Sequence, residues 1–274
     1  MMSSNKEYVE KDLDKKLEWF KNNTNYDLFA MLVRGSQNYN LDIRDDNYTS
    51  DVDVVALVVP SAEDVIKNQK MVSETIVMDD DSHIDVKDVR LMKEMWMKAN
   101  PSYIELLYTK HKRINPVYKE YWSEIVDIRS YIAKMNYDRF LSATKGMCME
   151  KRKALCHEYP TTKDKIEKYG YDPKQLHHIV RLEHMIAEMM DGYSYGESLV
   201  RTYDRDMLLD IKTKPTMTAN EAIIMADKMI SLVDGYISDY RDRNGREEVD
   251  MSTKNNLERI IFNLILCKIN REDN

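Results

Sequence analysis

The chain has 274 residues and a net charge of −7, with 43% hydrophobic and 32% charged residues. This length suits one large domain or two modest ones, and the acidic balance disfavours general nucleic-acid binding, because phosphate backbones select clustered Lys and Arg. Three cysteines at irregular spacing predict no disulfide framework and no zinc site, which favours a cytoplasmic setting. The polar N-terminus does not resemble a signal peptide, and no apolar run reaches the ~20 residues of a membrane span.

The first part of the chain mixes helix and strand patterns. Apolar residues at helical spacing predict helices, and short runs rich in β-branched residues predict strands. In chain order these patterns predict a helix over 6–22, buried strands over 28–33 and 52–59, a short helix over 62–70, and strands over 74–78 and 83–89.

Beyond residue 89 the patterns are almost entirely helical. They predict helices over 89–99, 101–108, 116–133, 137–156, 173–191, 219–240 and 253–270. We therefore predict an α+β fold, with a small mixed sheet and flanking helices over residues 1–112 and an all-helical domain over residues 113–274.

Two acidic residues stand at the start of the clearest strand. Asp51 and Asp53 are two residues apart, and strand side chains alternate between faces, so both carboxylates are expected on one side. Neighbouring carboxylates repel each other unless a cation lies between them, and Mg²⁺ prefers oxygen ligands. Asp85, between apolar Ile84 and Val86, is the best candidate for a third carboxylate of a two-metal site.

A glycine-serine pair follows the first predicted strand directly. Gly35 is the only glycine before Gly146, which favours a backbone position that needs no Cβ. A tight strand-to-helix turn presents backbone N–H groups that bind phosphate, and Ser36 adds a hydroxyl donor. The sequence thus places a predicted phosphate-binding turn ahead of the acidic pair.

The order of these motifs resembles the signature of the DNA-polymerase-β superfamily of nucleotidyltransferases. Gly35-Ser36 is followed by Ser50-Asp51-Val52-Asp53 and then by a later single aspartate. Within that superfamily the chain most resembles the YcgL-like stand-alone predicted nucleotidyltransferases of bacteria and phages, over roughly residues 28–200.

Two segments downstream extend the resemblance, and one position departs from it. Asn100 to Leu107 and Lys174 to Leu182 resemble helical blocks of the same group. At Asn40, the group has glycine after the tyrosine.

The resemblance implies a polymerase-β-type nucleotidyltransferase core and a reaction. Asp51, Asp53 and Asp85 would hold two Mg²⁺ (or Mn²⁺) ions, an acceptor hydroxyl would attack the α-phosphate of a bound NTP, and pyrophosphate would leave. The helical domain would complete the nucleotide and acceptor pocket. The residues expected to bind the nucleotide are Arg34, Gly35, Ser36, Ser50, Lys145, Lys174, His178 and Arg181.

Several of these residues have plainer interpretations. The charged face over 174–181 is equally consistent with a solvated helix surface, which is the usual location of charges at helical spacing. The acidic run 79–81 competes with Asp85, although it is typical of an exposed turn. Other histidines have no partner at metal spacing and are predicted to be structural or exposed: His83, His111, His157 and His184.

Three functions stay open from the sequence. The first is an enzyme that transfers an NMP to an RNA end such as that of tRNA, to a protein or to a small molecule. The second is a non-catalytic nucleotide-binding or RNA-binding protein, such as an antitoxin-like protein, on the same scaffold. The third, an oligomerising structural protein, rests only on the 19 methionines. Template-directed polymerisation is disfavoured, because the sequence shows no basic, aromatic-interleaved segment for a duplex.

Overall fold

The computed structural model describes residues 2–44, 49–201, 204–245 and 248–272. The chain forms two compact units, one made of Met1–Met135 with Val249–Asn274 and the other of Asn136–Glu248. The predicted boundary at residue 112 therefore needs correction, because the chain up to residue 135 and the last helix belong to the unit that contains the sheet. We call these the sheet unit and the helical unit.

The sheet confirms the predicted α+β class. Within the described residues its strands are β1 (Asp27–Arg34), β2 (Asp53–Val59), β3 (Ser73–Val77), β4 (His83–Asp88) and β5 (Lys112–Ile114). Their spatial order is β3-β4-β2-β1-β5, with β2 and β4 parallel and the other neighbours antiparallel. The sequence patterns predict the first four strands but not β5, because three residues are too few to show a period.

The helices, in chain order, are α1 (Met2–Asn23), α2 (Ala62–Ile66), α3 (Val89–Met97), α4 (Pro101–Ile104), α5 (Lys119–Asp127), α6 (Arg129–Lys134), α7 (Tyr137–Ala154), α8 (Lys163–Tyr169), α9 (Pro173–Met190), α10 (Tyr195–Val200), α11 (Arg205–Thr213), α12 (Ala219–Asn244) and α13 (Met251–Glu272). Short 3₁₀ helices cover Ser36–Tyr39, Glu105–Tyr108 and Pro116–Tyr118. The sequence patterns do not predict α8, α10 and α11.

One face of the sheet is buried against α1. Alternate residues of the central strands point to this face and pack with apolar residues of the helix. Each fully buried aliphatic side chain contributes roughly 1.5–3 kcal/mol. The cluster comprises Met31, Val33, Val54, Ala56, Val58, Ile84 and Val86 of the strands with Val9, Leu13 and Phe20 of α1. A shift of one residue would bring the acids of β2 and β4 into this core, so burial fixes the register.

The opposite face of the sheet changes character along its length. Near the middle of β2, Val55 and Leu57 are fully buried, and the Phe29 ring meets Trp122 of α5 edge-on with centroids 5.8 Å apart. Where β2 and β4 begin, this face carries polar side chains instead. We call that set the polar row: Arg34, Asp53, Thr75, His83 and Asp85.

The helical unit is organised around α9. Asp172 caps the start of this helix, since its side chain accepts a hydrogen bond from the backbone N–H of Lys174, and Pro173 occupies the first helical position. Helices α7, α11 and α12 pack against α9. Among the residues that the structure describes, no helix has both the length and the apolar character that crossing a membrane requires.

Candidate functional site

Strand register places two of the three predicted acids, Asp53 and Asp85, on one face. Arg34 pairs with Asp53 across β1 and β2, and Val55 pairs with Asp85 across β2 and β4. Directly paired residues point to the same face, and so do residues two apart in a strand. Asp53, Arg34 and Asp85 therefore share a face, because β4 lies next to β2.

Gly35 brings the backbone of the turn close to Asp53. Its φ is +95°, a conformation that side chains with a Cβ rarely adopt. A Cβ at this position would lie 3.7 Å from Asp53 Oδ2 and 3.9 Å from Gln37 Oε1. The predicted need for glycine is thus explained by the backbone conformation, since both distances are ordinary van der Waals contacts.

Glu105 is the main residue of this region that the sequence predictions miss. Its side chain is buried, and its Oε1 accepts hydrogen bonds from Gly35 N–H at 2.6 Å and from Asn38 Nδ2 at 2.9 Å. The prediction that the Gly35 N–H binds phosphate therefore needs correction, because a carboxylate of the protein already accepts it. The available signal was a lone glutamate within the apolar run Ile104 to Leu107.

A buried hydrogen-bond network continues from Asn38. Thr109 Oγ1 donates to Asn38 Oδ1 at 2.7 Å, and Asn38 Nδ2 also donates to the Val33 carbonyl at 2.9 Å. Asn38 and Thr109 are almost completely buried. Satisfied buried networks rigidify their surroundings, so the turn bearing half-buried Ser36 is held in one conformation.

Asn40 occupies the position at which the YcgL-like group has glycine, and its backbone conformation shows why asparagine is tolerated there. It ends the 3₁₀ helix with φ +58°, in the left-handed region, and its backbone N–H donates to the Ser36 carbonyl. Asparagine tolerates this region better than most residues with a Cβ. The turn is therefore preserved without glycine.

The backbone around the acidic pair is held from two sides. Gln37 Nε2 donates to the Asp51 carbonyl at 2.6 Å, and the buried Lys16 of α1 donates to the Val52 carbonyl at 2.5 Å. Asp51 is exposed and precedes β2, which begins at Asp53. The contacts fix the main chain while the Asp51 side chain faces solvent.

His83 lies beside Asp53, although no functional partner for this histidine was predicted from the sequence. Its Nε2 is 3.8 Å from Asp53 Oδ1, and the two side chains are 53% and 43% exposed. This is an ion-pair distance when the imidazole is protonated, and it is too long for a hydrogen bond. The prediction that His83 is exposed is confirmed, but the histidine also belongs to the polar row.

Asp85 is engaged by two neighbours. Arg34 Nη2 donates to its Oδ2 at 3.0 Å, and Thr75 Oγ1 donates to its Oδ1 at 2.6 Å. Within the described ranges, no three His, Cys, Asp or Glu side chains converge closely enough to hold a metal ion. The carboxylates of Asp51, Asp53 and Asp85 therefore do not converge on a single metal position in this structure. Asp51 and Asp53 fit a divalent cation better, since they offer accessible carboxylate oxygens.

Ser50 is buried, and its hydroxyl group forms a hydrogen bond within the protein. It is 6% exposed, and its hydroxyl oxygen accepts a hydrogen bond from the Ile43 N–H at 2.9 Å. The Ser50 N–H in turn donates to the Ile43 carbonyl at 2.8 Å. Ser50 therefore shapes the segment before Asp51, and its expected contact with a nucleotide stays a prediction.

The candidates in the helical unit differ in their environments. Lys145 forms an ion pair with Asp234 of α12, with Nζ 2.5 Å from Oδ1. Lys174 is exposed, whereas Arg181 is buried, so the predicted common face is solvated only at its start. Burial lowers the pKa of His178 well below its usual value, and the nearby charge of Arg181 adds to the shift.

His177 is a core residue of the same helix. It is 2% exposed, and its Nδ1 lies 2.8 Å from the Leu208 carbonyl oxygen, which accepts the proton of a neutral ring. Burial lowers the pKa of His177 to about 4. This histidine therefore holds α11 against α9.

Comparison with known proteins leaves the family open. No protein-family model matches the chain, and no curated protein is significantly similar to it. Over 92% of its length the chain is similar to the crystal structure of a nucleotidyltransferase-like protein from Exiguobacterium sibiricum 255-15, with 11% sequence identity, a TM-score of 0.32 and 88% of that chain covered. A likeness this distant does not assign a function to the chain.

Proposed function

We propose that this protein is a nucleotidyltransferase that moves an NMP from an NTP to a hydroxyl acceptor and releases pyrophosphate. One observation carries the proposal: the Asp53 carboxylate lies next to the glycine of a rigid Gly-Ser turn, 3.7 Å from where a Cβ on Gly35 would stand. A phosphate held at this turn would meet Asp53 on this sheet face, and Asp51 lies two residues before it in the chain. The order of motifs in the sequence supports the same function.

The acidic pair supplies the donor set for a cation. Asp51 and Asp53 would hold Mg²⁺ or Mn²⁺ through their exposed oxygens, and the resemblance implies two ions. Bound ions of this kind neutralise the triphosphate and lower the pKa of an acceptor hydroxyl.

The remaining residues of the turn would orient the nucleotide. The Ser36 hydroxyl is the donor that would meet a phosphate, because the Gly35 N–H is bound to Glu105. The acceptor oxygen forms a bond to the α-phosphorus, the bond between that phosphorus and the bridging oxygen breaks, and the hydroxyl proton passes to water. Positioning and charge neutralisation would supply most of the rate. The share of the helical unit in the pocket stays a prediction.

Transfer of label tests the proposal. The purified chain is incubated with each α-labelled NTP, with Mg²⁺ or Mn²⁺, and with a cell extract as the source of acceptor. We expect one class of RNA, protein or small molecule to become labelled, which would also identify the preferred base. Asp51→Asn with Asp53→Asn should abolish the labelling.

The matched control changes two acids of the exposed turn between β3 and β4. Asp79→Asn with Asp81→Asn alters the same number of charges in the same unit, outside the polar row. We expect this variant to label the acceptor at the wild-type rate. Equal labelling by the wild type and the Asp51/Asp53 variant would overturn the proposal.

A second function is favoured by one specific observation. The Arg34 guanidinium neutralises Asp85, so the polar row holds fewer free carboxylates than a three-acid site. A non-catalytic nucleotide-binding or RNA-binding protein would tolerate that arrangement. Calorimetric NTP binding with no pyrophosphate release in any extract would favour this second function.

A further inference from the structure

The ion pair between Arg34 and Asp85 spans the centre of the polar row. Arg34 ends β1, Asp85 lies on β4, and β2 runs between these strands. The guanidinium therefore reaches across β2 on the face that carries Asp53. Its Nη2 lies 3.0 Å from Asp85 Oδ2, and the side chains are 29% and 18% exposed. Partial burial limits solvent screening of the pair.

Asp85 is fixed from both of its oxygens. Thr75 of β3 donates to Oδ1 at 2.6 Å while Arg34 occupies Oδ2. A metal ion bound to Asp85 would have to displace the guanidinium or stand beside its positive charge. Asp53, at 43% exposure, presents its oxygens more openly. The geometry thus separates Asp85 from the acids that face solvent.

We propose that Asp85 is a positioning residue for Arg34, and that the Arg34 guanidinium binds phosphate oxygens of the NTP. This inference rests on the proposed nucleotidyltransferase function. A guanidinium carries five N–H donors in a planar fork that matches phosphate. Arg34 immediately precedes Gly35 in the chain and lies opposite Asp53 in the register of β1 and β2. Its side chain therefore lies next to both the Gly-Ser turn and Asp53.

The role of Asp85 follows from the charges around Arg34. Asp53 shares the sheet face with Arg34 and is directly opposite it in register. Without Asp85 the guanidinium would be drawn to Asp53, where it would compete with a cation and lose its orientation toward phosphate. Asp85 therefore keeps Arg34 and the metal-binding acids apart.

Two binding measurements test this assignment. Mn²⁺ affinity without nucleotide is measured from the free-ion paramagnetic resonance signal, and NTP affinity is measured by calorimetry with the nucleotide that binds the wild type most tightly. We expect Asp85→Asn to weaken NTP binding about tenfold, as for a lost charge-assisted hydrogen bond, and to weaken Mn²⁺ binding by about threefold at most, because the released guanidinium then competes with the ion at Asp53. Asp53→Asn should weaken Mn²⁺ binding about tenfold or more.

Further variants keep the test independent of folding defects. Arg34→Lys keeps the charge but loses the planar fork, and should weaken NTP binding about tenfold. Thr75→Val should act in the same direction by a smaller factor. Asp80→Asn removes an exposed ion pair with Lys15 in the same unit and should change neither affinity.

The outcomes separate this inference from the proposed function. Loss of Mn²⁺ binding in Asp85→Asn to the same extent as in Asp53→Asn would make Asp85 a metal ligand and overturn the inference, while label transfer by the wild type would still stand. Unchanged NTP affinity in Arg34→Lys and Asp85→Asn would also overturn it. A wild-type chain that binds no NTP would overturn both.

Discussion

The sheet unit and the helical unit differ in how far their charged side chains are exposed to solvent. In the sheet unit, the polar row lies where β2 and β4 begin, and Asp53 and His83 keep about half of their side chains in solvent. In the helical unit, α9 turns charged residues inward, and Glu183 and Glu188 are at most 5% exposed. Polar groups at a strand end thus remain in contact with solvent, whereas those of a central helix are buried and need hydrogen-bond or ion-pair partners within the protein.

This difference in exposure predicts which charged residues bind ligands and which contribute to the stability of the fold. A half-exposed carboxylate is available to a ligand and contributes little to folding. A buried ionisable group contributes through its partners and through the cost of its desolvation. Changes in the polar row are therefore expected to alter activity, and changes in α9 to alter folding.

The largest effect is expected at the acidic pair. Asp51→Asn with Asp53→Asn should lower nucleotidyl transfer about a thousandfold, because the charge stabilisation that a metal ion supplies amounts to several kcal/mol. The free energy of unfolding in urea should change by less than about 0.5 kcal/mol, as for other surface positions. A loss of several kcal/mol in stability would show that the polar row is structural after all.

The next effect concerns the buried histidine of α9. Burial lowers the pKa of His177 from 6.5 to about 4, so the unfolded chain takes up a proton at higher pH than the folded chain. The stabilisation from a neutral His177 is complete above pH 6.5 and is lost as the pH falls toward 4, up to roughly 3 kcal/mol. Urea denaturation at pH 7 and 4.5 should show this loss.

Substitution isolates the contribution of that histidine. His177→Asn should unfold more easily at pH 7, but its stability should fall less between pH 7 and 4.5 than that of the wild type. His157→Asn, at an exposed position of the same unit, should retain the wild-type slope. His178 adds to the wild-type slope with the same sign, since burial also lowers its pKa. Equal slopes for His177→Asn and the wild type would contradict the assignment.

Glu105 is a buried ionisable group within the sheet unit, so its substitution is expected to affect both folding and activity. Glu105→Ala leaves the Gly35 N–H and the Asn38 amide without their acceptor and should lower the free energy of unfolding by about 2 kcal/mol. Transfer should fall as well, since the turn loosens. Glu105→Gln retains an acceptor oxygen and should lose less, while exposed Glu120→Ala should match the wild type. A neutral Glu105→Ala would contradict the network.

The smallest effect is expected at Asn40. Its φ of +58° is unfavourable for a side chain that cannot hydrogen-bond locally, so Asn40→Ala should cost about 1 kcal/mol of stability. Asn40→Gly should stay close to the wild type, since glycine accepts this conformation. Thermal denaturation of the three proteins compares them directly. A fully stable Asn40→Ala would show that the turn can relax.

Long periodic segments were readable from the sequence. The run of β-branched residues in β2 and the apolar stripes of α1, α9 and α12 each repeat often enough for their period to appear. β5 and α10 are too short for that, and α13 gives no sign that it joins the sheet unit. Local patterns cannot report which segments pack together, because packing depends on contacts between residues far apart in the chain.

The chain itself determined the α+β class, the glycine-requiring turn and the presence of acids at the start of β2, since each depends on neighbours only a few residues away. The tertiary structure alone decided that Glu105 takes the Gly35 N–H and that Arg34 pairs with Asp85. Those partners are 70 and 51 residues apart in the chain. Strand order brings Arg34 to Asp85, and the packing of the 3₁₀ helix that begins at Glu105 brings this residue to Gly35. No local pattern encodes either contact.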